Sequence, residues 1–574
     1  MVAGNAGPGF GRRILTSVRA GRRTQLQAVA WSGFLTILIV IPWLTPGYIF
    51  ATDFAGPRHF SLPDGPASYA GLQAALALFA WVLPAEVVGK LFVVLILVAA
   101  GAGAFSALPV DGFEPRAVAA LIFVFNPFVY DRLAYGQLTV LAGYAVLPWV
   151  AASIRSLLEE PTLRNALQAT ALLTVVSILD IHLALIAAAA TALLIVAYVA
   201  TTMPTLKHLL RIGRQVAIVI GVVLIASSYW LVAIAVGSGS QARTLGRIGP
   251  GDLPAFSTLG DPTFGVVGNV LGLYGFWAED TGRFTLNKDF ASLWPVALFA
   301  IIGLAIAGAV IGWRQGAKLR FWVAGMAAVG IVAIVLDIGI ASTYVAPIIG
   351  LLNDVFPPYR GMRDAGKWGG LLALAYAQLV PIAVGSTLEW TRRHLSEGVR
   401  RDCAVALVTA IVMALPLYYG NGLLYGIHGE IRPSMYPSGW YAADAALTAD
   451  PNPGRAVFLP FHGYMDFSFI RNQNRVVASP APSFFSIPVV ASQDLEVQGV
   501  EPPLDDPDQA LLAGLVASGS QADWGQKLST RGFKYVLLAR ELDWETYGFL
   551  DNQPHLILVR DYGSILLYRN REWT

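Results

Sequence analysis

Long apolar stretches separated by short charged ones run through the first three-quarters of the chain. A helix rises about 1.5 Å per residue and needs about 20 mainly apolar residues to cross hydrocarbon. Charge-free runs of that size lie between Arg23 and Asp53 and at Leu91–Val110, Leu133–Ile154, Leu183–Leu206, Val216–Gln241, Ala291–Trp313, Phe321–Leu336, Trp368–Leu388 and Ala404–Gly429. Two shorter runs, Ala117–Tyr130 and Asn165–Leu179, gain length from their ends. The pattern predicts a polytopic α-helical membrane protein with about 11 transmembrane helices. Tyr69–Leu83 is apolar but short and closed by Pro84. It reads as a helix lying on the outer membrane surface, because a crossing there would turn the basic loops Lys207–Arg214, Arg314–Arg320 and Arg392–Arg401 outward.

The charges give these spans a direction. Arg12, Arg13, Arg19, Arg22 and Arg23 precede the first run, which is too long for a cleavable signal and shows no small-residue cleavage site. Residues 1–25 therefore read as a cytoplasmic basic tail on a retained helix. In that orientation the tail and the short inner loops hold 18 Lys/Arg against 7 Asp/Glu, as expected of the cytoplasmic face. Residues 26–430 form the transmembrane domain, with outer loops at 47–88, 237–290 and 339–367.

From about Ile431 the pattern changes: charged residues return and long apolar runs stop. Ala456–Pro460, Arg475–Ala478, Lys534–Ala539, His555–Arg560 and Ser564–Tyr568 read as strands, and Asp508–Ser518 and Asp523–Ser529 as helices. Residues 431–574 thus read as a small extracytoplasmic α/β domain. It carries 11 Lys/Arg and 16 Asp/Glu, so the chain's net charge of +2 conceals a basic membrane part and an acidic outer one.

Composition agrees with this picture and narrows it. The chain of 574 residues is 55% hydrophobic and 13% charged, against about 25% charged in a soluble domain. Near-neutral charge argues against nucleic acid as a partner. A single cysteine, Cys403, excludes an internal disulfide and a cysteine-cluster metal site.

No P-loop, G-x-S-x-G, H-E-x-x-H or dinucleotide fingerprint occurs. The informative residues are ionisable groups at the outer boundary, where charge is costly and marks sites. Asp53, in Phe50-Ala-Thr-Asp-Phe-Ala-Gly-Pro-Arg58-His59, suits a general base whose apolar neighbours raise its pKa. It reads equally as a turn residue at a helix end. Asp131 and Arg132 follow the helix-breaking Asn126-Pro127, with Gln137 beyond. Arg132 suits a phosphate, and the pair also suits a snorkelling anchor. Asp180-Ile-His182 suits substrate orientation or a polar turn. Arg360, Arg363 and Lys367 place three cations within eight positions before a span entering from outside. That cluster suits a lipid phosphate, or pairing with Asp354 and Asp364. Asn269–Trp277 reads as a short surface helix. Trp440, Tyr441, Tyr464 and Phe467 suit either sugar stacking or core packing.

Several stretches resemble the GT-C superfamily of integral-membrane glycosyltransferases, in particular YfhO-like proteins and the membrane core of cell-wall arabinofuranosyltransferases. They are Asn126-Pro-Phe128 through Arg132, Gly136-Gln137 and Tyr144–Trp149; Gly272–Trp277; Arg363–Trp368; Gly532–Val536; and Ile565–Asn570. The resemblance implies sugar transfer from a polyprenyl-phosphate-linked donor to a cell-envelope glycan or glycolipid acceptor, at the outer face of the plasma membrane. It places Asp53 at the catalytic-base position, although Thr52 and Phe54 flank it where many members pair two acids. Arg132, Arg360, Arg363 and Lys367 become candidate donor-phosphate ligands. Arg58, His59, Asp131, Gln137, Asp180 and His182 become candidate substrate-binding residues. The residues identify no cofactor; a divalent metal is compatible with the scheme. A transporter or flippase of a lipid-linked saccharide, and a non-catalytic polysaccharide assembly protein, are the rival readings.

Overall fold

The computed structural model describes residues 8–249 and 251–573. Of the expected basic tail, residues 1–7 lie outside the described residues, and so do the side chains of Arg12, Arg13 and Arg19. Among the described residues nine helices are long and apolar enough to cross a membrane. A tenth candidate is the pair α4 (Phe113–Val124) and α5 (Pro127–Tyr135), bent by 41°. α7 (Leu163–Leu179) is apolar but only 17 residues long. Counting both gives the eleven segments the hydrophobic pattern marks. The protein is a multi-pass membrane protein.

The remaining helices of the first half are α1 (Pro8–Val40), α2 (Ala70–Ala80), α3 (Ala85–Ala107), α6 (Leu138–Glu159), α8 (Ile181–Thr202) and α9 (Leu206–Ala235). The segment read as a surface helix is α2, 11 residues long and too short to span. The second half adds Trp294–Arg314, Ala317–Ile338, Gly369–His394 and Val399–Tyr419. The Ala365–His394 segment is 83% buried across its apolar window, against 11% for Val399–Tyr419. The first is therefore the axis of the bundle and the second lies on its rim. Small residues let the axis be approached closely: a Cβ on Gly308 would lie 2.0 Å from the Leu379 carbonyl oxygen, a packing mode suited to membrane helices.

The break between α4 and α5 is bridged by the Asn126 side chain. Asn126 caps α5 by accepting from the Val129 N–H at 3.0 Å, and Pro127 occupies the first turn. The Asn126 amide also donates to the Ile122 and Phe123 carbonyls, both at 3.0 Å. These are the backbone groups that the break would otherwise leave bare at membrane depth.

At one end of the bundle sits a globular domain. Its five-stranded sheet has the order β6 (Val489–Val490), β3 (Arg455–Leu459), β7 (Phe533–Ala539), β9 (Ile565–Asn570), β8 (Leu556–Asp561). β6 and β7 run parallel to β3, while β9 pairs antiparallel with β7 and β8. Alternation along β3 sends Ala456 and Phe458 to one face, with Trp440 and Phe484. Val457 and Leu459 go to the other, with Leu512 and Trp524. The strands and helices read from sequence here all form. The sequence reading lacked the short β4 (Tyr464–Asp466) and its partner pairing with β5 (Val476–Ala478).

The loop that follows the first span, residues 47–88, is built into this domain. β1 (Phe50–Ala51) and β2 (Phe54–Ala55) form a small hairpin around Asp53. Phe50 is fully buried in the domain's core beside Tyr436. The Ala478 N–H donates to the Thr52 carbonyl at 2.8 Å. Asn269–Trp277 differs from its sequence reading. Helix forms only over Gly265–Leu271, and Asn269, Val270, Tyr274 and Phe276 are buried rather than on the surface. Glu279 turns the chain there by accepting from the Gly275 and Phe276 N–H groups at 2.6 and 3.2 Å.

Candidate functional site

A cavity of ≈ 120 Å³ lies where the bundle meets the domain. Asp53 enters it from the β1–β2 hairpin, Tyr135 and Gln137 from the α5–α6 corner, and Arg363, Asp364 and Lys367 from the approach to the bundle's axis. Phe256 and Trp277 come from the long middle loop, and Tyr464, Leu495 and Val497 from the globular domain. Asp53 is open to the cavity, but protein surrounds it on its other sides. That desolvation raises its pKa from 3.8 to about 6, against hydrogen bonds from Tyr464 and Gln137 and the charges of Arg283 and Lys367. The Tyr464 hydroxyl donates to Asp53 Oδ1 at 2.8 Å, and the Asp53 N–H donates to the Tyr135 carbonyl at 2.7 Å. A carboxylate so held, half ionised near pH 6 and mostly ionised at neutrality, is suited to accept a proton.

Arg132 does not pair with Asp131. It is 1% exposed and forks onto Asp364, with Nη1–Oδ2 at 2.6 Å and Nη2–Oδ1 at 3.2 Å. Nη1 also donates to Gln137 Oε1 at 2.6 Å, and the guanidinium lies 4.1 Å from the Phe276 ring centroid. Buried, outside the cavity lining and with Nη1 and Nη2 both bonded to Asp364, Arg132 holds the Arg363–Lys367 segment against α5. Removing either partner would leave a buried charge uncompensated.

Lys367 is different. It lines the cavity at 8% exposure, and among the described residues its ammonium has no hydrogen-bond or ion-pair partner. A nearly buried cation without a fixed partner is costly, and its presence marks a place for an anion. Arg363 also lines the cavity, with its guanidinium bound to Asp252 and stacked 4.4 Å from the Phe256 ring centroid. The expected pairing of this cluster with Asp354 does not occur among the described ion pairs; Asp364 takes Arg132 instead. Arg360 is exposed and lies outside the cavity lining.

The other candidates sit apart from the cavity. Arg58 binds Asp444 at 2.6 Å and stacks over Tyr441 and Phe484, so it fastens the 47–88 loop to the globular domain. The His59 N–H donates to the Ser483 carbonyl at 2.8 Å, at the same seam. Asp180 caps α8, accepting from the His182 and Leu183 N–H groups at 2.8 and 2.9 Å, and the His182 ring stands 3.2 Å from it. That is the polar-turn reading, placed within electrostatic reach of Lys367. Asp131 is buried beside Glu279, away from the lining. Only Asp53, Gln137, Arg363 and Lys367 of the candidates meet in the cavity. Trp440 and Phe467 belong to the domain core, as the packing alternative has it. Tyr464 instead joins the site.

Among the described residues no group of three or more His, Cys, Asp or Glu side chains is placed to hold a metal ion. Of the two carboxylates lining the cavity, Asp364 gives both oxygens to Arg132, which leaves Asp53 facing two cations. That donor set does not fit a divalent cation.

An apolar groove of ≈ 340 Å³ runs along α2, α3 and α6, lined by residues such as Leu72, Leu76, Phe92 and Ile96. It shares Leu72 and Leu76 with a polar cleft of ≈ 680 Å³ that holds Tyr69, Gln73, Thr139 and Arg243. Apolar groove and polar cleft are therefore continuous, and Thr139 of the cleft follows Gln137 of the cavity by two positions in the chain.

No known family model matches the sequence, and no curated protein matches it. Among solved structures it is similar to the arabinofuranosyltransferase AftD from Mycobacteria, with a TM-score of 0.61 and 18% identity over 96% of this chain and 40% of that one. A structure of an AftD mutant matches at TM-score 0.58 and 17% identity, over 96% of this chain and 42% of that one. The chain therefore shares its fold with this arabinofuranosyltransferase and spans about two-fifths of its length.

Proposed function

We propose that this protein is a membrane glycosyltransferase of the GT-C type, moving a sugar from a polyprenyl-phosphate donor to an envelope glycan or glycolipid. The carrying observation is that Asp53 lines one cavity with Lys367, whose ammonium has no hydrogen-bond or ion-pair partner among the described residues, in a fold shared with a known sugar transferase. The polyprenyl chain lies in the apolar groove between α2, α3 and α6, and the donor phosphate meets Lys367 and Arg363. The acceptor hydroxyl attacks the anomeric carbon. Its proton passes to Asp53, a new glycosidic C–O bond forms, and the bond to the phosphate oxygen breaks. The electron pair leaves with the polyprenyl phosphate, whose charge the two cations stabilise.

The domain-bearing end is placed outside the cytoplasm. Support comes from Lys207, Arg211, Arg214, Arg314, Lys318, Arg320, Arg392, Arg393, Arg400 and Arg401, which cluster in the loops assigned to the opposite face. The test is transfer from a polyprenyl-phosphate-linked arabinofuranose to an arabinofuranoside in proteoliposomes. Transfer by the wild type and its loss in Lys367→Met support the reading. Binding of the lipid with no sugar transferred, or its movement across the bilayer without bond making, overturns it.

A further inference from the structure

The globular domain reaches the cavity through one polar side chain. Tyr464 lies on β4, and β4 is held to the 47–88 loop through its partner β5, whose Ala478 N–H donates to the Thr52 carbonyl at 2.8 Å. The Tyr464 ring is packed under the Arg283 guanidinium at 4.7 Å, and Arg283 in turn donates to the Tyr135 hydroxyl at 2.9 Å. Asn474, also in the domain, donates to the Arg283 carbonyl. The tyrosine is thus held by its strand and by the anchored Arg283 over its ring, while its hydroxyl donates to Asp53 Oδ1 at 2.8 Å.

We infer that Tyr464 is a positioning residue for the base: by holding Oδ1 of Asp53 it turns the other oxygen to the acceptor, so the globular domain completes the active site. This rests on the reading of Asp53 as the base. Arg132, through Gln137, steadies the same carboxylate from the bundle side. The base is therefore clamped between bundle and domain and is correctly aimed only when the two are docked. Burial, with the charge of Asp53 beside it, pushes the Tyr464 hydroxyl well above the ordinary phenol range, so it remains a donor throughout the range over which Asp53 ionises. A donor to the ionised form favours that form, so it lowers the pH at which Asp53 becomes competent.

The test uses the full chain in nanodiscs. A water-soluble carbodiimide with glycinamide labels protonated carboxyls, and mass spectrometry of the Asp53 peptide follows the label with pH. The wild-type midpoint is expected at about 6. Tyr464→Phe keeps the ring under Arg283 and removes only the donor. Its midpoint is expected to rise by about one pH unit, and the acid limb of the transfer rate rises with it. A fluorinated tyrosine installed at 464 is a stronger donor and lowers the midpoint, which tests the same bond should the phenylalanine variant fold poorly. Midpoints unchanged in both variants overturn the positioning role, even if Asp53→Asn is inactive. Full turnover by Asp53→Asn overturns the base assignment instead, whatever the midpoints do.

Discussion

Asp53, the proposed base, sits where its surroundings pull in opposite directions. Burial raises its pKa to about 6, while Tyr464, Gln137, Arg283 and Lys367 limit the rise. As a base it works as the carboxylate, so transfer is expected to grow as pH rises through about 6 and to fall away below, measured as a pH–rate profile. Asp53→Asn is expected to lower the transfer rate by about 10²–10⁴-fold with little change in melting temperature. Arg132→Ala reverses that balance. It strands the buried Asp364 carboxylate and is expected to cost about 3–5 kcal/mol of stability, read as a lower melting temperature. At this scale half of the site was legible in the sequence. An acid after the first helix and cations before a late one were legible as types of residue at a costly depth. That Arg132 spends itself on Asp364, 232 positions away, was not, because a salt-bridge partner has no local signature. Nor was Tyr464, which meets Asp53 across 411 positions.

The elements around the site are set by local rules that sequence does record. Asn126-Pro127 ends one helix and starts the next, and Gly136 closes α5 with φ +88°. A Cβ on Gly136 would lie 2.8 Å from the Phe54 N, inside the hairpin that presents Asp53. Gly136→Ala is therefore expected to cost about 1–2 kcal/mol for the left-handed backbone alone. It also displaces the hairpin, so transfer falls more than stability does; activity and melting temperature measured together check this. The sequence misplaced Asn269–Trp277 on the surface because its apolar spacing fits a solvent-facing helix as well as a buried turn. What buries it is Tyr376 donating to the Leu271 carbonyl at 2.9 Å and Tyr419 to the Gly272 carbonyl at 2.8 Å, from helices 105 and 147 positions away.

The whole molecule is a basic-ended helical bundle fastened to an acidic domain by the 47–88 loop. Phe50 in the domain core, the Arg58–Asp444 pair and the Thr52–Ala478 hydrogen bond make that loop the fastening. Asp444→Ala removes the 5%-exposed partner of Arg58, and is expected to make the seam between loop and domain cleavable in limited proteolysis while the bundle stays intact. Hydropathy showed the bundle and the change of composition showed the domain. Docking between them was hidden, since it depends on aromatic and polar contacts between segments almost 400 positions apart, such as Phe50 with Tyr436. The central claim is that a lipid-linked phosphate is held in the cavity facing Asp53. A cryo-EM structure with a non-transferable polyprenyl-phosphate sugar analogue tests it most directly. The phosphate is expected against Lys367 and Arg363, with the anomeric carbon turned to Asp53 and the lipid chain along Leu72 and Leu76. A phosphate bound elsewhere, with Lys367 still unpartnered, would contradict the account.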